Sequence, residues 1–316
     1  MTIQLPQDMK TFFSHAKEFP ENISQIAAES YFREQRASGL IEKQIDTGKT
    51  AILLFANGAP NTAYVLENGH GKSLSLAEFS SANGDSIYMR AIQLPDVAGR
   101  LTLLALESQV MEKFTITDPA AWAKQTAQWG AERWSGLVEA VSDQAHGFAL
   151  FWQGEAQKSD VIFSTASGFI SEIPDLRNDL WEITTYSPQP STQGYLCAVL
   201  RLGAMHWSQK ILNRYQELVG QKLLQTMDRE LNRQIQPWRW NIALNDQDMI
   251  DAHFFPFLMD AAHAYRALFM AMGAQMNFVI GGNLTLRLLN ETFEQIHPDE
   301  RAALQSQRLI PAAFSE

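Results

Sequence analysis

The pentapeptide SGLIE, residues 38–42, returns as SGLVE, residues 135–139, a spacing of 97 residues. Held at that spacing without gaps, residues 38–69 and 135–166 share seven identities, where about two are expected by chance. They are Ser38/Ser135, Gly39/Gly136, Leu40/Leu137, Glu42/Glu139, Asp46/Asp143, Leu53/Leu150 and Ala59/Ala156. The flanks agree. A helix-like segment precedes each copy, ENISQIAAESYFREQR and PAAWAKQTAQWGAERW. An apolar segment opened by glycine follows each, GRLTLLALES and GYLCAVLRLG, and both read locally as strands. A repeat of this period constrains the chain to two related units that must bury their apolar faces.

Within one unit, SGLIEKQID alternates as a half-buried strand does, and TAILLFANG is more continuously apolar and so more buried. Asn57-Gly58 is the strongest turn signal, NTAYVLENG a third strand, SLSLAEF a short helix and SIYMRAIQL a further strand. The sum is a helix on a small antiparallel sheet. Gly48-Lys49-Thr50 and Gly71-Lys72-Ser73 imitate the end of a phosphate-binding loop. Lys43 and Leu66 stand where its first glycine is required, and a strand follows Thr50 where a helix should. The first is therefore a hairpin turn, with Gly48 supplying positive φ and Lys49 exposed at its tip. At the same spacing Ala145, His146 and Gly147 replace the tripeptide, so the repeat carries scaffold rather than a phosphate site.

Ser38, Gly39, Leu40, Phe55, Asn57, Gly58 and Ala63 together make the first copy resemble the PATAN domain of bacterial signalling proteins. The second copy keeps Ser135, Gly136, Leu137 and Trp152, with Glu155 in place of Gly58. The resemblance implies a non-catalytic domain that makes protein–protein contacts in regulatory systems.

From about Met205 the apolar period becomes helical, with Ile211, Tyr215, Leu218, Leu223, Met227 and Leu231 on one stripe. Pro237 ends that helix, WNIAL and MID suggest a short hairpin, and helical patterns resume to the end. The expected fold is α+β: a first module over 1–115, a second, duplicated one over 116–204, and an all-helical domain of three or four helices over 205–316. Trp238, Trp240, Phe254, Phe255 and Phe257 crowd the least regular part of that domain. They are interface candidates, because interfaces favour such rings as anchors, with bundle core as the competing role.

Signals for chemistry are sparse. Asp251, His253, Asp260 and His263 lack metal-ligand spacing. Asp246 and Asp248 imitate a calcium loop until Ile250 takes a ligand position. Cys197, the only cysteine, reads as an inert thiol in an apolar strand, and no disulfide can form within the chain. No nucleophile elbow occurs. The formal charge of −10 disfavours nucleic acid. The first residues lack the apolar run of a signal peptide, and no stretch is long enough to span a membrane. The expectation is a cytoplasmic regulatory or adaptor protein without cofactor or metal. It would act on other proteins, not on nucleic acid or membrane, and self-association stays open. The alternative is an enzyme or small-ligand sensor with a pocket between the two α/β modules.

Overall fold

The computed structural model describes residues 3–4, 13, 15–16, 18–20, 23–46, 48–67, 70–82, 88–174, 180–246, 248–255 and 257–314. The N-terminal stretch in which a signal peptide was sought lies largely outside them. The chain divides into two compact units, residues 1–195 and 196–316.

The first unit runs β1 (Ile3–Gln4), α1 (Gln25–Gln35), β2 (Ser38–Asp46), β3 (Lys49–Ala56), β4 (Ala59–Glu67), β5 (His70–Leu74), α2 (Leu76–Ser81), β6 (Tyr88–Leu94), α3 (Asp96–Leu106) and β7 (Ser108–Ile116). It continues with α4 (Pro119–Glu132), β8 (Gly136–Val141), β9 (Ala145–Trp152), β10 (Glu155–Thr165), β11 (Gly168–Ile170), β12 (Trp181–Pro188) and the start of α5 (Gln193–Val219). The division between units falls inside α5, and the expected boundary at 204/205 lies in the same helix. Two antiparallel sheets form, ordered β1-β5-β4-β3-β2-β6 and β11-β10-β9-β8-β12-β7. Leaving aside β1 and β7 at the ends, the five remaining strands follow one another in the same order in both.

The register shows what the Ser-Gly-Leu motif does. In both copies an arginine with left-handed φ of 50° ends the leading helix, Arg36 after α1 and Arg133 after α4. The serine hydroxyl then accepts the amide of the residue opening the turn between the second and third strands of the hairpin series, β3–β4 or β9–β10: Asn57 N–H to Ser38 Oγ at 3.1 Å, Gln153 N–H to Ser135 Oγ at 2.9 Å. The glycine after that residue donates back to the helix exit: Gly58 to the Ala37 carbonyl at 2.9 Å, Gly154 to the Trp134 carbonyl at 2.7 Å. Gly58 and Gly154 hold φ of 84° and 85°, which only glycine adopts without strain. Gly39 and Gly136 are required for space: a Cβ would lie 2.4 Å from the Phe32 ring in the first copy and 2.2 Å from the Trp134 ring in the second. The motif is the joint between helix end, first strand and hairpin turn.

This geometry corrects the ungapped alignment. Leu40 faces Leu54 and Leu137 faces Leu150, so Leu54 rather than Leu53 is the counterpart of Leu150. The second copy is one residue shorter between its first two strands. Gly58 therefore matches Gly154 rather than Glu155, and Phe55 matches Phe151 rather than Trp152. Lys49 is not at a free tip: it begins β3, half-buried, 3.5 Å from Glu67 Oε2.

Both segments read as strands after a glycine are helical. RLTLLALES lies largely in α3, which is buried from Ala98 to Leu106 except at Arg100 and touches strands of both sheets. A helix apolar on all sides needs cover on all sides, and the two sheets supply it. GYLCAVLRLG opens α5, so Cys197 is half-buried on a helix rather than buried in a strand. The outer face of the first sheet packs Ile41, Leu53 and Phe55 with Ala28 and Phe32 of α1; the outer face of the second packs Val138, Ala149 and Phe151 with Trp129 of α4.

The second unit holds the rest of α5, then α6 (Gln221–Ile235), the hairpin β13 (Ile242–Asn245) and β14 (Asp248–Asp251), α7 (Leu258–Ile280), α8 (Gly282–Phe293) and α9 (Pro298–Ser306). The expected continuous stripe is split by Gly220, φ 83°, between α5 and α6. Ile211, Tyr215, Met227 and Leu231 enter the core, but Leu218 and Leu223 beside the break are each 42% exposed. Trp207 lies at the centre, its ring against Phe269 and Phe293 and its Nε1–H donated to Thr292 Oγ1 at 3.1 Å.

Candidate functional site

The inner faces of the two sheets carry charge where alternation alone would leave apolar residues. Glu42 of β2 and Glu139 of β8 are repeat counterparts, and both are buried. A buried carboxylate is costly unless it is bonded, so each must find donors. Glu42 Oε2 accepts Arg90 Nε of β6 at 2.5 Å, and Arg90 Nη1 reaches Glu18 Oε1 at 2.5 Å. Burial opposes the Arg90 charge, but the bonds and charges of Glu42 and Glu18 outweigh it and raise its pKa. Glu139 accepts the Tyr186 hydroxyl of β12 and His146 Nε2 of β9 at 2.8 Å. His146 Nδ1 accepts the Phe13 amide at 3.1 Å, so the ring proton sits on Nε2 and is donated to Glu139. Burial, then the neighbouring Glu139 charge, holds the Tyr186 phenol protonated. A third buried carboxylate, Glu107, takes the Tyr64 hydroxyl at 2.7 Å and the Gly194 amide at the start of α5 at 2.6 Å. Burial pushes its pKa up.

The segment before α1 crosses both clusters. Phe13 is fully buried, its ring against His146, Phe148 and Phe169. Five residues on, Glu18 bridges to Ile92, and the Phe19 amide donates to the Ala91 carbonyl at 3.0 Å. Ala91 thus turns its backbone away from β2, and by strand alternation so does Gln93.

Beside this segment a cavity of about 510 Å³ opens, lined by Glu18, Phe19, Pro20, Tyr31, Gln93, Leu94, Pro95 and Phe169. The size falls within the range of small-molecule sites. Its wall joins the edge strand β6 and helix α1 of the first half to Phe169 of β11 in the second. Phe19 and Tyr31 meet edge to face at 4.7 Å, and the Tyr31 hydroxyl donates to Gln93 Oε1 at 3.0 Å. Among the described residues of the lining Glu18 alone is charged, its side chain 32% exposed. Among the described residues the lining is thus mostly apolar, with a carboxylate, an amide and a phenol hydroxyl as its polar side-chain groups.

The interface candidates separate. Phe254 and Phe255 are buried, Phe255 in the helical core against Tyr265, so neither offers a surface anchor. Trp240 packs partly on that core. Trp238, 4.3 Å from Trp240, and Phe257 remain exposed at 48% and 51%. Sequence reasoning missed Phe278 near the end of α7, 90% exposed. The acids and histidines weighed as ligands do not converge: Asp251 accepts the His253 amide and the Tyr265 hydroxyl, while Asp260 and His263 lie exposed on α7. Among the described residues no group of three or more such side chains could hold a metal ion.

The buried clusters beside the cavity left one trace in the sequence, the acid repeated at Glu42 and Glu139. Glu18, Tyr31, Gln93 and Phe169 are brought together by tertiary folding alone. Among the described residues no helix is long and apolar enough to cross a membrane. No family model, no curated protein and no solved structure matches the chain.

Proposed function

We propose that the chain is a non-catalytic regulatory protein whose β-sheet unit binds a small ligand in the cavity beside β6. The carrying observation is the cavity itself: apolar walls, few polar groups, and residues drawn from both halves of the unit. The two sheets with their leading helices are two copies of one duplicated module. The shared strand order and the twice-built joint at Ser38 and Ser135 support that reading. The resemblance of the first copy to PATAN domains is what supports a regulatory role in bacterial signalling, in the cytoplasm.

The experiment is a thermal-shift screen of the full chain against a small-molecule library, repeated with Gln93→Trp. Gln93 is exposed on an edge strand, so the larger ring fills the cavity without entering the core. Stabilising compounds should lose their effect in the variant. Compounds that act equally on both chains bind elsewhere and refute the assignment.

A second reading, an adaptor that meets another protein through its helical unit, is favoured by the exposed rings of Trp238 and Phe257. Capture of a partner by the full chain, weakened at least tenfold by Trp238→Ala with an unchanged melting temperature, would support it.

A further inference from the structure

We infer that the cavity beside β6 selects an organic cation, an ammonium group on an apolar body. The inference rests on the ligand-binding reading and specifies the ligand's charge. Three aromatic rings, Phe19, Tyr31 and Phe169, line the space, and aromatic faces attract cations. Among the described residues of the lining the one charge is negative. Glu18 binds Arg90 through Oε1, while Arg90, only 5% exposed, also binds Glu42 through Nε. Arg90 thus bonds both carboxylates from behind the wall, and Glu18, with its side chain 32% exposed, lines the cavity. Among the described residues of the wall an anion would meet Glu18 and no cation. A neutral apolar molecule would take water from the exposed part of the Glu18 carboxylate and offer it no donor beyond the Arg90 bond it already has. An ammonium satisfies both, donating a charge-assisted hydrogen bond to Glu18 while its apolar body lies on the aromatic rings. The Gln93 carbonyl oxygen already accepts from Tyr31, which leaves its amide N–H groups to orient the ligand.

The test is a charge series on the full chain by titration calorimetry, supported by ligand-observed NMR. The probes are 2-phenylethylammonium, 2-phenylethanol and phenylacetate, equal in ring and nearly so in length. The ammonium should bind at least tenfold more tightly than the alcohol, about 1.4 kcal/mol. Phenylacetate should bind more weakly than either. In Glu18→Gln the preference for ammonium over alcohol should fall below threefold, and Tyr31→Ala should weaken every probe that binds. Because Glu18 also holds Arg90, Glu18→Gln is first checked for an unchanged unfolding curve. If it does not fold, the series on the unmodified chain decides. Nα-acetyl-lysine amide separates the sources: binding tighter than 2-phenylethylammonium points to a lysine side chain of a peptide, weaker binding to a free amine. Alcohol or phenylacetate bound as tightly as the ammonium leaves the ligand-binding reading standing and overturns the cation. Binding by none of the probes also overturns it, and the library screen then decides the broader reading.

Discussion

Replacing Asp228 with asparagine should stabilise the helical unit, and by an amount that depends on pH. Asp228 lies on α6, 5% exposed, with Oδ1 buried and without a hydrogen-bond partner. Its carboxyl pKa is pushed from 3.8 to about 6, first by burial and then by the charge of Asp246 in the β13–β14 turn, against an opposing backbone bond. The folded chain therefore holds this proton more tightly than the unfolded chain. Its contribution is fully present below pH 3.8 and lost as pH rises through about 6. The rise from 3.8 to about 6 corresponds to roughly 3 kcal/mol, all of it lost by pH 8. At pH 5 about half of that loss has occurred, since the unfolded carboxyl is ionised and the folded one is mostly not. Asp228→Asn never ionises. Its stability relative to the parent should be higher at pH 8 than at pH 5 by about 1.4 kcal/mol. Any constant gain or loss from the amide cancels in that difference. Urea unfolding followed by tryptophan fluorescence at the two pH values measures it, with the transition of the helical unit fitted separately if the two units unfold apart. A stability difference that is the same at both pH values would refute the reasoning.

Gly39→Ala and Gly136→Ala should each cost about 1–3 kcal/mol in urea unfolding, because the new Cβ overlaps an aromatic ring and a strand carbonyl. Gly130→Ala on α4 is the control: its Cβ would meet nothing closer than 3.9 Å, so the variant should gain up to about 1 kcal/mol of helix propensity. Phe255→Ala should destabilise the helical unit by about 3–5 kcal/mol, whereas Trp238→Ala should leave its melting temperature almost unchanged. Lys49→Ala should change stability by under about 1 kcal/mol, since its partner Glu67 is exposed. Calorimetry should detect no ATP binding by the parent chain.

Local chemistry decided the parts whose causes are local. Ser24 and Asp118 cap α1 and α4 through neighbouring amides, Ser75 and Glu78 close a capping box on α2, and Asn57-Gly58 turns a hairpin with φ of 49° and 84°. Each involves residues within a few positions of one another, and each is readable from the chain alone. The recurrence of Ser-Gly-Leu was legible too, but not its reason, because the ring that excludes a Cβ at Gly39 comes from Phe32 on the preceding helix. The missing residue between β8 and β9 was hidden for a related cause. An ungapped comparison scores identities, whereas pairing fixes that Leu137 faces Leu150 through hydrogen bonds between strands. The segments that became α3 and the start of α5 are apolar almost throughout, and a continuous apolar run fits a buried strand and a buried helix equally well. Only the surroundings choose: α3 touches both sheets and needs apolar groups on every side. The cavity lies furthest from the reach of sequence. Glu18, Tyr31, Gln93 and Phe169 carry no shared spacing, and only the tertiary fold sets a carboxylate, an amide and aromatic rings around one space, because burial and charge balance act between residues the chain keeps far apart.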